Sequence, residues 1–174
     1  MGGKRFRFSM IFPVRILGLF LSPGHDFRGR HGQARENHEV SEVSEAEFVA
    51  GKGIRGDRYF GFQENYKAQV TFFDHAVHEA VLEKFGVSRK PQVYRRNVLT
   101  TGIDLNELVG KSFSIGDVRF TGVEECSPCY WMDQAVAPGT EEFLKGRGGL
   151  RTRILESGRL QLGPAEITLL DPVP

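Results

Sequence analysis

The sequence predicts a mainly β fold, a β-rich α+β barrel decorated by a few peripheral helices. Two patterns carry this prediction: many short apolar stretches are separated by glycine-containing turns, and a single longer stretch shows helical spacing. Glycine accounts for 21 of the 174 residues, which is typical of a chain with many turns. We therefore expect sheet to dominate the core.

The elements are predicted in chain order. Val14 to Leu21 is the first core strand, and residues 69–73 form a strand that runs into the clearest helix, which ends at Gly86. The second half is mostly strand, with a hairpin turn at Gly116-Asp117. The remaining predictions are a strand over 97–101, a short helix over Glu141–Lys145 capped by Thr140, and a last hairpin turning at Ser157-Gly158.

Composition excludes several classes of protein. The 23 basic and 22 acidic side chains nearly cancel, which argues against a nucleic-acid binder held by bulk charge. No apolar run reaches the roughly 18 residues of a membrane span. Most of the basic residues are arginine, which suits forked recognition of carboxylate or phosphate. We expect a cytoplasmic protein with no nucleic-acid or membrane partner.

The N-terminus resembles a signal peptide only superficially. Lys4 and Arg5 precede an apolar stretch, but Pro13 and Arg15 interrupt it and no small-residue cleavage site follows. We predict an N-terminal arm over residues 1–13 and a single domain over 14–174.

Residues 22–37 are polar, contain glycine and show no periodicity. A loop of this length in a compact domain is commonly functional. With His25, Arg28, Arg30 and His31, it is predicted to form part of the rim of a site and to become ordered on binding.

Cys126 and Cys129 form a C-x-x-C pair, the only two cysteines of the chain. Such a pair serves as a redox dithiol, as half of a zinc site, or as the source of one metal thiolate. Zinc would need two further ligands, and His75 and His78 on the predicted helix are the candidates, although two histidines on the polar side of a helix are more often solvated. The pattern alone leaves all three hypotheses open.

Arginines lie near glycine or asparagine at three places: 55–58, 95–97 and 146–151. Glycine lets backbone N–H groups approach a phosphate, and arginine adds bidentate hydrogen bonds. Each cluster could also be a solvated turn, but three clusters together with a cysteine pair favour an anion site.

The order and spacing of five motifs resemble the MOSC family, the molybdenum cofactor sulfurase C-terminal domains. The motifs are G-I-R-G-D-R at 53–58, R-R-N-V at 95–98, L-V-G-K-x-F-x-I-G at 108–116, E-C-S-P-C at 125–129 and G-R-G-G at 146–149. The resemblance extends from about Ile16 to about Leu169.

This resemblance implies a barrel that binds the molybdenum cofactor, a pterin carrying a dithiolene and a phosphate. Cys129 matches the cysteine that ligates molybdenum in the family and would be the catalytic residue. Arg95 and Asn97 match cofactor-contacting positions, and Arg58, Arg147, Gly148 and Gly149 are weaker candidates for holding the same anion. Asp57 is expected only to orient Arg58, and the role of Cys126 stays open.

Relatives such as the mitochondrial amidoxime reducing component reduce N-hydroxylated compounds. The resemblance therefore implies an oxidoreductase that acts on N-hydroxylated bases or amidoximes and receives electrons from a partner protein. In the sulfurases a separate domain carries pyridoxal phosphate, and this cofactor is not expected in the present chain.

Two other functions remain as alternatives. The first is a non-catalytic carrier of the cofactor or of sulfur as a persulfide on Cys129. The second is an arginine-lined barrel for single-stranded nucleic acid, for which Tyr59 and Phe60 beside Arg58 are the only aromatic indication.

Overall fold

The computed structural model describes residues 10–27 and 32–170. Most of the predicted arm over 1–13, and Arg28, Arg30 and His31 of the predicted rim loop, lie outside these ranges.

Seven of the eleven strands in the described residues close into a barrel. Going round it, the strands are β1 (Ile11–Leu21), β6 (Val98–Thr101), β5 (Val70–Asp74), β9 (Leu150–Glu156), β8 (Val118–Glu125), β7 (Ser112–Ile115) and β11 (Gly163–Leu169). β11 pairs with β1 and closes the ring, and the β5–β6 pair is parallel whereas the other pairs are antiparallel. The predicted β-barrel is confirmed.

A second sheet lies beside the barrel. It contains β3 (Glu45–Val49), β4 (Gly53–Ile54) and β10 (Gly158–Gln161), while the short β2 (Ser41–Glu42) adds to β1. The predicted hairpin at Ser157-Gly158 is wrong, because β10 pairs with β3 and not with β9. The Ser157 hydroxyl accepts a hydrogen bond from the backbone N–H of Ala50, 2.8 Å away, which ties this turn to the second sheet.

Three α-helices and two short 3-10 helices complete the fold. They are α1 (His75–Phe85), α2 (Trp131–Ala135), α3 (Thr140–Leu144) and the 3-10 turns Pro91–Tyr94 and Leu105–Leu108. Asp74 caps α1 by accepting from the N–H of Ala76, and Gly86 ends the helix in the left-handed conformation. Thr140 is the first residue of α3 and not its cap, since its hydroxyl donates to the carbonyl of Ala137. Within the described ranges, none of these helices has the length and apolarity needed to cross a membrane.

Two apolar cores stabilise the molecule. One fills the barrel around Phe72, Phe113 and Phe120, whose rings contact one another. The other lies outside the barrel, where the helices pack on β1, β5 and β6 around Phe73 and Trp131. β5 is buried on both faces from Val70 to Phe73 because it separates these two cores.

Candidate functional site: an arginine-lined cavity beside two cysteines

A cavity of about 190 Å³ opens where five chain segments meet beside the barrel. Its walls come from the loop after β1, the connection before β5, the turn before β6, the segment between β8 and α2, and β9. The lining residues are His25, Phe27, Arg58, Tyr59, Tyr66, Ala68, Thr71, Tyr94, Arg95, Arg96, Cys126, Ser127, Cys129, Met132 and Arg151. Among these described residues are four arginines and no carboxylate, so the cavity attracts anions.

The two cysteines border this cavity with different exposures. Cys126 follows β8 directly and is buried, whereas Cys129 is exposed just before α2. Burial raises the pKa of the Cys126 thiol, against the opposing effect of Arg96 and Arg151. The motif lies between a strand and a short helix, but its neighbours β8 and β9 are antiparallel, unlike the βαβ unit of a thioredoxin site.

Arg96 and Arg151 are the two cavity arginines that the sequence did not assign to the site. The guanidinium of Arg96 donates to three backbone carbonyls, those of Gly148 (3.1 Å), Tyr94 (3.3 Å) and Cys126 (3.4 Å). No carboxylate of the described residues forms an ion pair with it, and its charge is available to a ligand.

Arg58 is held at the cavity by its neighbour. It donates to the Asp57 carboxylate at 3.2 Å and to the carbonyl of Arg95 at 3.0 Å, and its guanidinium lies over the ring of Tyr59. Its Nε is buried and has no hydrogen-bond acceptor. Asp57 therefore orients Arg58, as expected, and leaves one donor for a ligand.

Arg151 is the fourth cavity arginine. It lies on β9 and pairs with Glu124 of β8 at 2.5 Å. Glu124 is half-buried and also pairs with Lys67 at 2.6 Å, so it only partly neutralises Arg151.

Arg95 borders the cavity, but its guanidinium turns toward the rim loop. It donates to Asp26 (3.1 Å), to the Ser22 hydroxyl (2.7 Å), and to the carbonyls of Gly24 (2.6 Å) and His38 (3.2 Å). Burial and the neighbouring Arg58 lower the pKa of Arg95, while Asp26 and Asp57 oppose this. The contacts make Arg95 the anchor of the rim.

The anchored loop supplies the outer wall of the cavity. Asp26 also accepts from the N–H of His38 at 2.8 Å, and its neighbours His25 and Phe27 both line the cavity. The ring of Phe27 stacks on Trp131 with centroids 4.8 Å apart, and the ring of His25 meets that of Tyr59 edge-on. Part of the predicted rim is thus observed at the site.

Asn97 does not line the cavity. It is almost completely buried, accepts from the N–H and hydroxyl of Thr71 at 3.0 Å, and donates to the carbonyl of Phe20 and to Asp57. Its amide forms hydrogen bonds to β1, to β5 and to Asp57 beside Arg58, so Asn97 supports the residues of the site without contacting the cavity.

The glycine-rich turn before β9 packs against neighbouring backbone and is not among the residues that line the cavity. The N–H of Gly148 donates to Glu125 at 3.0 Å, and a Cβ there would lie 2.1 Å from the carbonyl oxygen of Cys126. Gly149 has a φ of 104°, and a Cβ there would lie 2.2 Å from the carbonyl oxygen of Phe72. Arg147 lies over the ring of Phe143 and lines a separate cavity of about 30 Å³.

The proposed zinc ligands do not meet the cysteines. His78 is buried and its Nδ1 is 3.1 Å from the Tyr94 hydroxyl, so it is not the solvated residue that the helix pattern indicates. No group of three or more His, Cys, Asp or Glu suited to a metal occurs within residues 10–27 and 32–170. The geometry leaves Cys129 as a single accessible thiol.

The sequence model of the MOSC domain matches residues 61–165, more than half of the chain. The chain belongs to the MOSC domain family. No protein of curated function matches the sequence.

Solved structures share the MOSC fold of this chain at low sequence identity. The YuaD protein from Bacillus subtilis is 19% identical with a TM-score of 0.71, covering 94% of this chain and 100% of its own. YiiM from Escherichia coli is 15% identical with a TM-score of 0.61, covering 94% and 71%. YiiM from Geobacillus stearothermophilus is 12% identical with a TM-score of 0.66, covering 91% and 75%.

A larger groove of about 830 Å³ runs along β1, β7, β10 and β11 of the MOSC domain. It shares no lining residue with the cysteine cavity and holds neither cysteine. Chemistry rather than size identifies the smaller cavity as the candidate site.

Proposed function

We propose that the arginine-lined cavity binds the molybdenum cofactor and that Cys129 supplies the protein ligand to the metal. The observation that carries this proposal is the exposed thiol of Cys129 beside a cavity with four arginines and no carboxylate among its described lining residues. The MOSC family itself is associated with this cofactor.

The donor set fits the group. A thiolate is a soft ligand that suits a molybdenum already bound by sulfur, and guanidinium groups suit a phosphate. The buried Nε of Arg58 lacks an acceptor, and Arg96 contacts only carbonyl oxygens, so both have donors or charge to offer an anion. The proposed cofactor-binding set is therefore Arg58, Arg96 and Arg151, with Arg95 holding the rim.

The cavity volume limits how much of the cofactor is enclosed. At about 190 Å³ it is smaller than the roughly 300–1,000 Å³ of ordinary small-molecule sites. Part of the cofactor would consequently lie under the rim formed by His25 and Phe27 and part outside it.

The proposed reaction is reduction of N-hydroxylated bases or amidoximes, with electrons from a partner protein. When bound, the cofactor supplies a metal that takes up oxygen from an N–O bond and cycles between two oxidation states. The chain's own residues hold it: Cys129 fixes the metal end, the three arginines neutralise the anion, and Tyr59 with Phe27 shields the cavity from water.

The exposure of Cys129 also suits a second function, that of a non-catalytic carrier. An accessible thiol accepts a persulfide sulfur or a passive metal centre as readily as it ligates a catalytic one. Turnover of an N-hydroxylated substrate distinguishes the enzyme from the carrier.

Cys129→Ser and Cys126→Ser form the matched pair that tests the proposal. Each protein is purified from a host that makes molybdenum cofactor, its molybdenum content is measured, and reduction of an N-hydroxylated purine is assayed with a chemical reductant. We expect Cys129→Ser to lose metal or activity and Cys126→Ser to keep most of both. If both variants keep both properties, Cys129 is not the ligand. If both lose everything while folded, a paired-sulfur site replaces the proposal.

A further inference from the structure

Cys126 has no role in the proposed chemistry, which needs one protein thiolate. Yet its side chain borders the same cavity as Cys129, three residues away, and both thiols are free. The two differ sharply in access, because Cys126 is 1% exposed and Cys129 lies open to solvent. An oxidant that enters the cavity mouth therefore meets Cys129 first.

The segment between the cysteines has little structure to hold them apart. It lies between β8 and α2, outside any helix or strand, and Pro128 has no N–H to engage. Three residue steps span at most about 10 Å, and a disulfide needs Cα atoms about 4.4–6.8 Å apart. The length of chain between the two cysteines therefore allows the separation that a disulfide needs.

Cys126 is held in place by its backbone. Its N–H donates to the carbonyl of Gly149 at 2.8 Å, which fixes it at the end of β8. Burial raises the pKa of its thiol, although the nearby Arg96 and Arg151 oppose this. The exposed Cys129 therefore reacts with an oxidant first, and the buried Cys126 is the fixed partner.

We propose that Cys126 is a resolving cysteine, which converts oxidised Cys129 into an intramolecular disulfide. The thiolate of Cys129 attacks a hydroperoxide, the O–O bond breaks, and Cys129 becomes a sulfenic acid while an alcohol, or water from hydrogen peroxide, is released. The sulfur of Cys126 then attacks that of Cys129, the S–O bond breaks, and hydroxide leaves with the proton as water. Two thiols are oxidised and one hydroperoxide is reduced.

The disulfide has a consequence that rests on the proposed function. It removes the Cys129 thiolate from the set of metal ligands and prevents its irreversible oxidation to the sulfinic acid. A thiol reductant restores the ligand. The cavity would then load its cofactor only in a reducing compartment.

The disulfide is tested on the reduced, metal-free full-length protein treated with hydrogen peroxide. We expect the wild type to lose about 2 Da, to form no intermolecular disulfide, and to recover both thiols with dithiothreitol. Cys126→Ser is expected instead to gain about 32 Da at Cys129 and not to recover. Cys129→Ser is the control and should resist modification, because Cys126 is buried. A wild type that accumulates sulfinic acid at Cys129 while Cys126 stays a free thiol, or that forms only intermolecular disulfides, overturns the proposal.

The consequence is tested separately by offering cofactor to the oxidised and the reduced wild type. Uptake only by the reduced protein supports it, and equal uptake by both overturns it. If the disulfide forms but reduced protein takes up no molybdenum, the proposed function fails while the disulfide stands.

Discussion

The buried pair between Arg95 and Asp26 gives the most informative stability prediction. Both side chains are more than nine-tenths buried, and the guanidinium also holds Ser22 and Gly24 of the rim loop and His38 directly after it. Arg95→Ala removes these contacts and leaves the Asp26 carboxylate buried without its cation. Although the resemblance assigns Arg95 to the cofactor, the structure predicts that it stabilises the fold.

The expected loss follows from breaking a buried ion pair, which costs about 3–5 kcal/mol. For a chain of this length, each kcal/mol lowers Tm by roughly 2–4 °C, so Arg95→Ala should melt about 6–20 °C below the wild type. Asp26→Asn in the same protein should recover part of the loss, because it removes the unpaired charge.

Thermal and urea unfolding of the metal-free protein measure this effect. Arg159→Ala is the matched control: Arg159 pairs with Glu45 on the surface at 2.5 Å, and this exposed pair should leave Tm almost unchanged. If Arg95→Ala melts within about 2 °C of the wild type, a loss below 1 kcal/mol, the anchoring role is refuted. A loss of molybdenum in Arg95→Ala would then indicate direct contact with the cofactor.

Three further predictions concern the site and its supports. Arg96→Ala should weaken cofactor binding by about tenfold to a hundredfold, the equivalent of about 1.5–3 kcal/mol, whereas Arg147→Ala should leave it unchanged. The assay is the molybdenum content of each variant at limiting cofactor. A lower molybdenum content in Arg147→Ala than in Arg96→Ala would contradict the choice of cavity. Gly148→Ala should destabilise the protein by about 1–3 kcal/mol in urea unfolding, because its Cβ would lie 2.1 Å from a backbone oxygen. If the variant is as stable as the wild type, the backbone of this turn moves enough to accommodate a Cβ. Burial lowers the pKa of His78 in the folded protein. As the pH falls, the unfolded chain therefore takes up a proton at His78 before the folded protein does. The contribution of His78 to stability is present above about pH 6.5 and is lost as the pH falls toward the folded pKa. His78→Asn, which keeps a hydrogen-bonding group toward Tyr94, should flatten the stability profile below about pH 6.5. An unchanged slope would assign that slope to another group.

The sequence predicts the fold better than the pairing of its elements. The helix before Gly86 and the turn at Gly116-Asp117 are confirmed because local spacing and turn chemistry decide them. The pairing partner of β10 could not be predicted from local spacing and turn chemistry. Its partner β3 lies more than a hundred residues earlier, and only long-range packing selects it over the adjacent β9.

At the candidate site, the sequence predicts which residue types occur but not the direction in which each side chain points. Arg95 and Arg96 are identical in the sequence pattern, yet one anchors the rim and the other faces the cavity. Arg95 has a φ of 55°, and this left-handed residue turns the chain between the two side chains. Propensity gives no warning of such a conformation at arginine. The resemblance therefore assigns the cofactor contact to Arg95, whereas the contacts in the structure make Arg96 the stronger candidate for cavity charge.

The most direct test of the central proposal is X-ray absorption at the molybdenum edge of the reduced, cofactor-loaded protein, compared with Cys129→Ser. The account predicts one sulfur ligand more in the wild type than in the variant, with Cys126→Ser indistinguishable from the wild type. The same number of sulfur ligands in the wild type and in Cys129→Ser would contradict the assignment of Cys129 as the metal ligand.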